Sequence, residues 1–331
     1  MDNSDFYEQL SLGIEPSPAQ QWDADATRRA LDELFSVARQ YNSSQAYLDL
    51  MKFVAGFRFY APFNAMLVHV QMAGATFVAP PGRWRFTYGR RIKPDARPLV
   101  ILQPMGPVMF VFDVSGTEPL DGAPDLPPEV LHPFQATGES AAHTLQRTIT
   151  NAVRDGVEVF TEDGGSQSAG SIRTYTGDRQ LSYLAKRKPQ PQYEAVRVRY
   201  TIMLNANHAP TTRYATLVHE LAHLYCGHLG TPDERWWPDR RGLSHAIREF
   251  EAESVSYLVC CRLGIETTAA AYLANYCTLH QTTPPVSLDC VMKAAGLIET
   301  MGSAPLPPRK AHLPGRSQLP GRLTIALHRK A

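Results

Sequence analysis

The string His219-Glu220-Leu221-Ala222-His223 constrains this chain more than any other five residues in it. Its surroundings carry the signs of a helix. Thr211 and Thr212 offer N-cap hydroxyls, and Leu217, Leu221 and Leu224, flanked by Val218, Ala222 and Tyr225, form an apolar stripe. Gly227 suits a C-terminus. On a helix, positions i and i+4 lie about 40° apart around the axis and one turn apart along it, so both imidazoles leave the same face. Two rings so placed can grip one zinc ion. Glu220 is too far round to ligate comfortably beside them, and is placed to reach a water on the metal and take its proton. The string alone would arise by chance in roughly one chain in 60 of this length and composition, so its context decides.

That context is a predicted strand over 196–204, alternating and rich in β-branched and aromatic residues, then a loop over 205–210, then the helix. Two ordinary core histidines would not need Glu220 between them. A catalytic zinc site takes a third protein donor and keeps one position for water. The metzincin solution requires glycine at +7 and histidine at +10 from the first histidine, where this chain has Cys226 and Leu229. The other solution is a carboxylate from a second helix, here predicted over 245–263 and closed by Gly264. Glu249 and Glu253 share one face of it, while Glu251 lies about 200° round from Glu249. We therefore expect Glu249 as the ligand, with Glu253 accepting the free ring N–H of a ligand histidine or standing in as the ligand itself. Glu251 reads as part of a solvated face, with Arg248 and Arg262 as partners.

The motif at His219 to His223, followed 26 residues after His223 by Glu249-Phe250-Glu251-Ala252-Glu253, resembles the ImmA/IrrE-type and ArdC-type zincin-like metallopeptidases. In these, H-E-x-x-H precedes E-x-x-A-[N/D/E] on a later helix. The resemblance covers roughly 195–265 and implies that Glu249 binds the metal.

The front third differs in character. Helices are predicted over 24–57, broken near Asn42-Ser43-Ser44, and over 62–73; short strands follow at 76–79, 83–88, 98–102 and 108–114. Between Arg83 and Arg97 stand Arg83, Arg85, Arg90, Arg91, Lys93 and Arg97, with Asp95 the one acid. In a strand, Trp84, Phe86 and Tyr88 would share one face and Arg83 and Arg85 the other. The rings are then either core beneath a solvated basic face, or platforms for single-stranded nucleic acid whose phosphates the cations follow. Tyr60 to Ala65, Trp84, the run Gly89 to Pro98 and Ile101 to Pro104 resemble the N-terminal single-stranded-DNA-binding domain of ArdC-type antirestriction proteins, although Asp95 stands where the family's turn often has glycine. The resemblance implies single-stranded DNA as a partner, with Arg83, Trp84, Arg85, Arg90, Arg91 and Lys93 the candidate contacts.

At 331 residues two domains are expected. The expected class is α+β: a single-stranded-DNA-binding-like α+β domain, then a zincin-like domain with a small sheet and several helices. The boundaries expected are an extension at 1–20, the first domain at 21–115, a Pro-rich linker at 116–135, the metallopeptidase domain at 136–302 and a disordered basic tail at 303–331. The second domain's helices are expected near 138–155, 267–278 and 286–300, and strand-like segments near 171–175 and 181–185. A net charge of +1 carries no global nucleic-acid signature, so any such binding is local. Five cysteines without C-x-x-C read as free thiols in a reducing, cytoplasmic setting. The N-terminus has no secretory pattern and no apolar run reaches a membrane-spanning length. The expected activity is zinc-dependent hydrolysis of a peptide bond in a protein or peptide partner, with Glu220 as general base and the strand at 196–204 holding the substrate if it is the sheet edge. The alternative is a DNA-binding antirestriction protein with a structural or vestigial zinc site.

Overall fold

The structure is a computed structural model and describes residues 41, 43–103, 106–127, 130, 141–163, 169–280 and 282–309. The expectations for 1–40 and 310–331 fall outside the described residues. Helix α1 (Ser44–Gly56) starts where Ser43 Oγ accepts the Ala46 N–H, so the break expected at this point is a helix start. Helix α2 (Pro62–Gln71) has Pro62 in its first turn, where a missing N–H costs nothing. There follow β1 (Val78–Ala79), α3 (Pro81–Phe86), β2 (Arg90–Ile92), β3 (Leu99–Gln103), β4 (Gly106–Asp113) and β5 (Thr117–Pro119). Strand β4 lies antiparallel between β1 and β3, and β2 pairs with β5 inside the segment expected to be linker.

The strand expected at 83–88 is not formed; most of it lies in α3. Pro81 presets a first helical turn, and the helical path brings Trp84 and Tyr88, four residues apart, to one side against Phe77. Phe86 turns the other way and is 82% exposed. Period-two alternation of three rings thus concealed an i, i+4 pair.

The second half comprises α4 (Ala141–Ala152), β6 (Val157–Glu162), β7 (Gly170–Thr174), the hairpin β8 (Gln180–Lys186) and β9 (Gln192–Arg197), then β10 (Tyr200–Asn205), α5 (Pro210–Tyr225), α6 (His245–Arg262), α7 (Thr268–Leu279) and α8 (Leu288–Ser303). The strand expected over 196–204 is therefore divided between β9 and β10. Strand β10 is central, parallel to β6 and antiparallel to β7, so it is not the edge available to a substrate; β7 is. Helix α5 begins at Ala209 with Pro210 in its first turn, not at a threonine cap. The class is α+β, as expected.

The expected boundary between two domains does not separate two cores. Leu50, Met51 and Val54 of α1 and Leu67 of α2 belong to the same buried cluster as Leu217 and Leu221 of α5, Val255 and Leu258 of α6, and Ile298 of α8. Tyr47 donates to Ser254 of α6 at 2.7 Å, and its ring meets Phe250. Arg262, at the end of α6, donates to the carbonyls of Val54, Phe57 and Tyr60 and pairs with Glu299. The Val54 and Phe57 carbonyls are among those that the end of α1 leaves without helical partners. A smaller cluster of Phe77, Ala79, Trp84, Tyr88 and Val130 lies under the basic segment.

Residues 303–309, expected to be tail, are fastened down. Asn151 donates to the Met301 and Ala304 carbonyls, and Tyr183 donates to Leu306 O at 2.6 Å. Arg309 reaches the fully buried Asp155 at 2.6 Å, and its guanidinium lies over Trp236 and Trp237. Proline and basic composition resembles disorder when those partners are out of view.

Candidate metal centre

Helix α5 presents His219 and His223 from one face, with Nε2 atoms 3.2 Å apart. Leu217, Leu221 and Leu224, all fully buried, fix the rotation of the helix. Helix α6, which starts at a Ser244 side-chain cap, delivers Glu249. Its Oε2 is 3.6 Å from His219 Nε2 and its Oε1 is 3.5 Å from His223 Nε2. Two donors about 2.0–2.1 Å from one tetrahedral ion lie roughly 3.3 Å apart, so these three sit where a zinc-sized ion would hold them. Among the described residues this is one of two groups of His, Cys, Asp and Glu close enough for a metal; the other, Cys226, His228 and Glu251, is buried. That second group also contains the Arg240 guanidinium, 2.6 Å from Glu251, which disfavours a cation there.

Burial alone would depress His219, but its contact with the Glu249 carboxylate and the charges of Glu253, Glu220 and Glu249 outweigh it, and its pKa is raised. Burial, reinforced by the neighbouring His219, holds His223 far below the usual histidine range, so this ring keeps a lone pair free. Glu249 is lowered, first by the hydrogen bond with His219. Glu253 Oε1 stands 3.5 Å from His219 Nδ1, on the side away from Glu249, as the helical spacing requires.

Glu220 points past the donors, 9% exposed, and burial raises its pKa. The Ile172 N–H of β7 donates to its carboxylate. The β7 register explains why that amide is free. Asn205 N–H donates to Ala169 O and Tyr175 N–H to Arg199 O, so odd-numbered residues face β10. Gly170, Ile172 and Thr174 then turn their backbone groups to the open edge. A cleft of about 520 Å³ opens on one side of the histidines, lined by Thr216, Glu253, Glu266 and Thr267 among others. Another, of about 340 Å³, opens on the other side, lined by Ile172, Leu229, Arg248 and Glu249. The two share Gly170, His219 and Glu220, so they form one groove along β7.

Two residues escaped the sequence reading. Glu251 is fully buried, not solvated. It takes Arg240 through both oxygens, at 2.6 and 2.7 Å, the Ser287 N–H at 2.7 Å, and His228 Nε2 at 2.9 Å. Burial would raise its carboxyl, but these hydrogen bonds prevail and hold it below the usual range. His228 in turn meets His223, Nδ1 to Nδ1, at 2.9 Å. The available signal was Gly227-His228 immediately past the helix. Gly227, at φ +82°, reverses the chain and lays His228 back over His223.

Residues 155–285 match the family model of the IrrE N-terminal-like domain, Peptidase_M78. The resemblance to the ImmA/IrrE group is thereby shown for that segment. The IrrE-like segment contains the groove, all three donors and Glu220. No curated protein sequence matches the chain. Two crystal structures of the antirestriction ArdC protein from the R388 plasmid align with it. The metal-free one is 12% identical, with a TM-score of 0.31 over 77% of this chain and 93% of that one. The Mn(II)-bound one is 14% identical, with a TM-score of 0.33 over 77% and 94%.

The basic segment lies apart from the IrrE-like segment. Trp84 is fully buried and donates to Phe112 O at 2.9 Å, so it offers no ring face to a base and leaves the set of nucleic-acid candidates. Arg90 is bonded to Thr117, Arg91 to Glu118 and Lys93 to Ser115 O. Arg83 lies over the Phe77 and Tyr88 rings, and Arg85 stands 5.8 Å from the exposed Phe86 ring. Among the described residues no helix is long and apolar enough to cross a membrane.

Proposed function

We propose that this chain is a zinc-dependent peptidase that hydrolyses a peptide bond in a protein or peptide partner. The observation that carries the reading is the convergence of His219, His223 and Glu249 beside Glu220 at an open strand edge. His219, His223 and Glu249 would hold the ion, which supplies Lewis acidity, polarising a carbonyl and acidifying water. An extended peptide adds to β7 through the N–H and C=O groups of Gly170 and Thr174 and the C=O of Ile172. Glu220, desolvated and oriented by the Ile172 amide, takes the proton of the attacking water and returns it to the leaving amine. Of the polar groups near the donors that could meet an oxyanion, Tyr225 is bonded to Asp155 and His228 to His223 and Glu251. Arg248 lines the groove, and its positive guanidinium suits the developing oxyanion. The five free thiols fit a reducing, cytoplasmic setting. The test is zinc content by elemental analysis, then mass spectrometry of an unfolded-protein digest with wild type and Glu220→Gln. Cleavage by wild type alone supports the reading; equal cleavage by both removes Glu220 from it.

A second reading, single-stranded DNA binding, is supported by one observation: Phe86 is exposed beside Arg85, an aromatic platform among cations. Oligo-dT affinity should fall in Phe86→Ala and in an Arg83/Arg85/Arg90/Arg91 alanine set. Unchanged affinity in both would remove it.

A further inference from the structure

The two histidine donors are supported very unequally. His219 Nδ1 faces Glu253 across 3.5 Å, beyond a good hydrogen bond. His223 Nδ1 sits 2.9 Å from His228 Nδ1, and His228 Nε2 sits 2.9 Å from Glu251 Oε2. The far end is closed by Arg240 and the Ser287 N–H. Both His228 and Glu251 are buried, so water cannot substitute for either.

With His228 neutral, one assignment of protons satisfies every contact. Glu251 only accepts, so His228 Nε2 donates to it. His228 Nδ1 then carries a lone pair and accepts from His223 Nδ1–H. His223 Nε2 is left with its lone pair toward Glu249 and His219. Each link forces the next, and the end state is the tautomer a metal ligand needs.

We propose that His228, Glu251 and Arg240 form a buried positioning relay that fixes the tautomer and ring orientation of His223 as the second metal donor. This deepens the function proposed above and rests on it for the metal, though not for the tautomers. The relay draws on four places in the chain: the end of α5, the turn after it, the loop bearing Arg240 and the middle of α6. The site is therefore set up by the fold before an ion arrives.

The experiment reads the metal-free protein first. Long-range ¹H–¹⁵N spectra of wild type should show His223 protonated at Nδ1 and His228 at Nε2, and Glu251→Gln should lose that pattern. Zinc affinity, measured against a chromophoric chelator, should then fall about 10–100-fold in Glu251→Gln and His228→Phe. His228→Gln should recover part of it, since its amide can both accept and donate. Tyr225→Phe, equally buried but outside the relay, should bind zinc as wild type does. The opposite tautomers in wild type, or wild-type zinc affinity in both Glu251→Gln and His228→Phe, would overturn the proposal. Failure of wild type to bind any divalent ion would refute the peptidase reading instead, and the tautomer result would still decide the relay.

Discussion

Replacing Gly227 by alanine should damage stability and metal binding together, because one residue sets both. Its φ of +82° costs an L-residue about 1–2 kcal/mol. A Cβ there would lie 2.0 Å from Pro238 O and 3.3 Å from Arg240 N, so the backbone at 238–240 must withdraw by more than an ångström. That backbone bonds to Gly227 O through the Arg240 N–H at 2.9 Å and carries the guanidinium that holds Glu251. Weakening this charge-assisted contact costs about 1.5–3 kcal/mol more. The sum, about 2.5–5 kcal/mol, corresponds to a fall in Tm of roughly 4–7 °C for a chain this size. Scanning calorimetry of the metal-free protein reads the first effect, and chelator competition reads the second. If Gly227→Ala melted with wild type and bound zinc equally, both the turn geometry and its link to His223 would be wrong.

Three further outcomes are expected. Leu221→Ala, at a fully buried position between the two histidines, should cost about 2–5 kcal/mol by urea denaturation. Arg309→Ala leaves the buried Asp155 short of its best-placed cation and should cost about 3–5 kcal/mol, whereas ends trimmed only beyond residue 309 should spare it. The raised pKa of His219 stabilises the metal-free fold fully below its ordinary value of 6.5, and that contribution is lost as pH rises through the folded value. Above pH 6.5 excess zinc should reverse the trend, since it needs the unprotonated ring, and melting curves from pH 6.5 to 8 with and without zinc distinguish the two slopes; below that range the depressed His223 opposes the His219 trend.

The sequence made the donors legible because their geometry is local. Spacing on α5 sets the two rings, spacing on α6 sets Glu249 and Glu253, and each helix formed within about two residues of where its caps and apolar stripe put it. Most of what failed was non-local. The helical wheel places Glu251 correctly on the far face of α6, but it cannot tell that α5, α8 and the Arg240 loop cover that face. Nor can it show that α1 and α2 share the core of the metal centre, since Tyr47 and Ser254 are separated by more than half the chain. Trp84 fits alternation and a helical pair equally well until Phe77 and Tyr88 are seen around it.

Helix α6 serves two masters. One flank supplies Glu249 and Glu253; another is pinned to the front of the molecule by Tyr47, and its last turn is gripped there through Arg262. The front and rear halves cannot be handled as separable cassettes. Whatever seizes the amino-terminal portion pulls on the same rod that carries the third donor, and a fragment lacking α1 would leave that rod without its anchor.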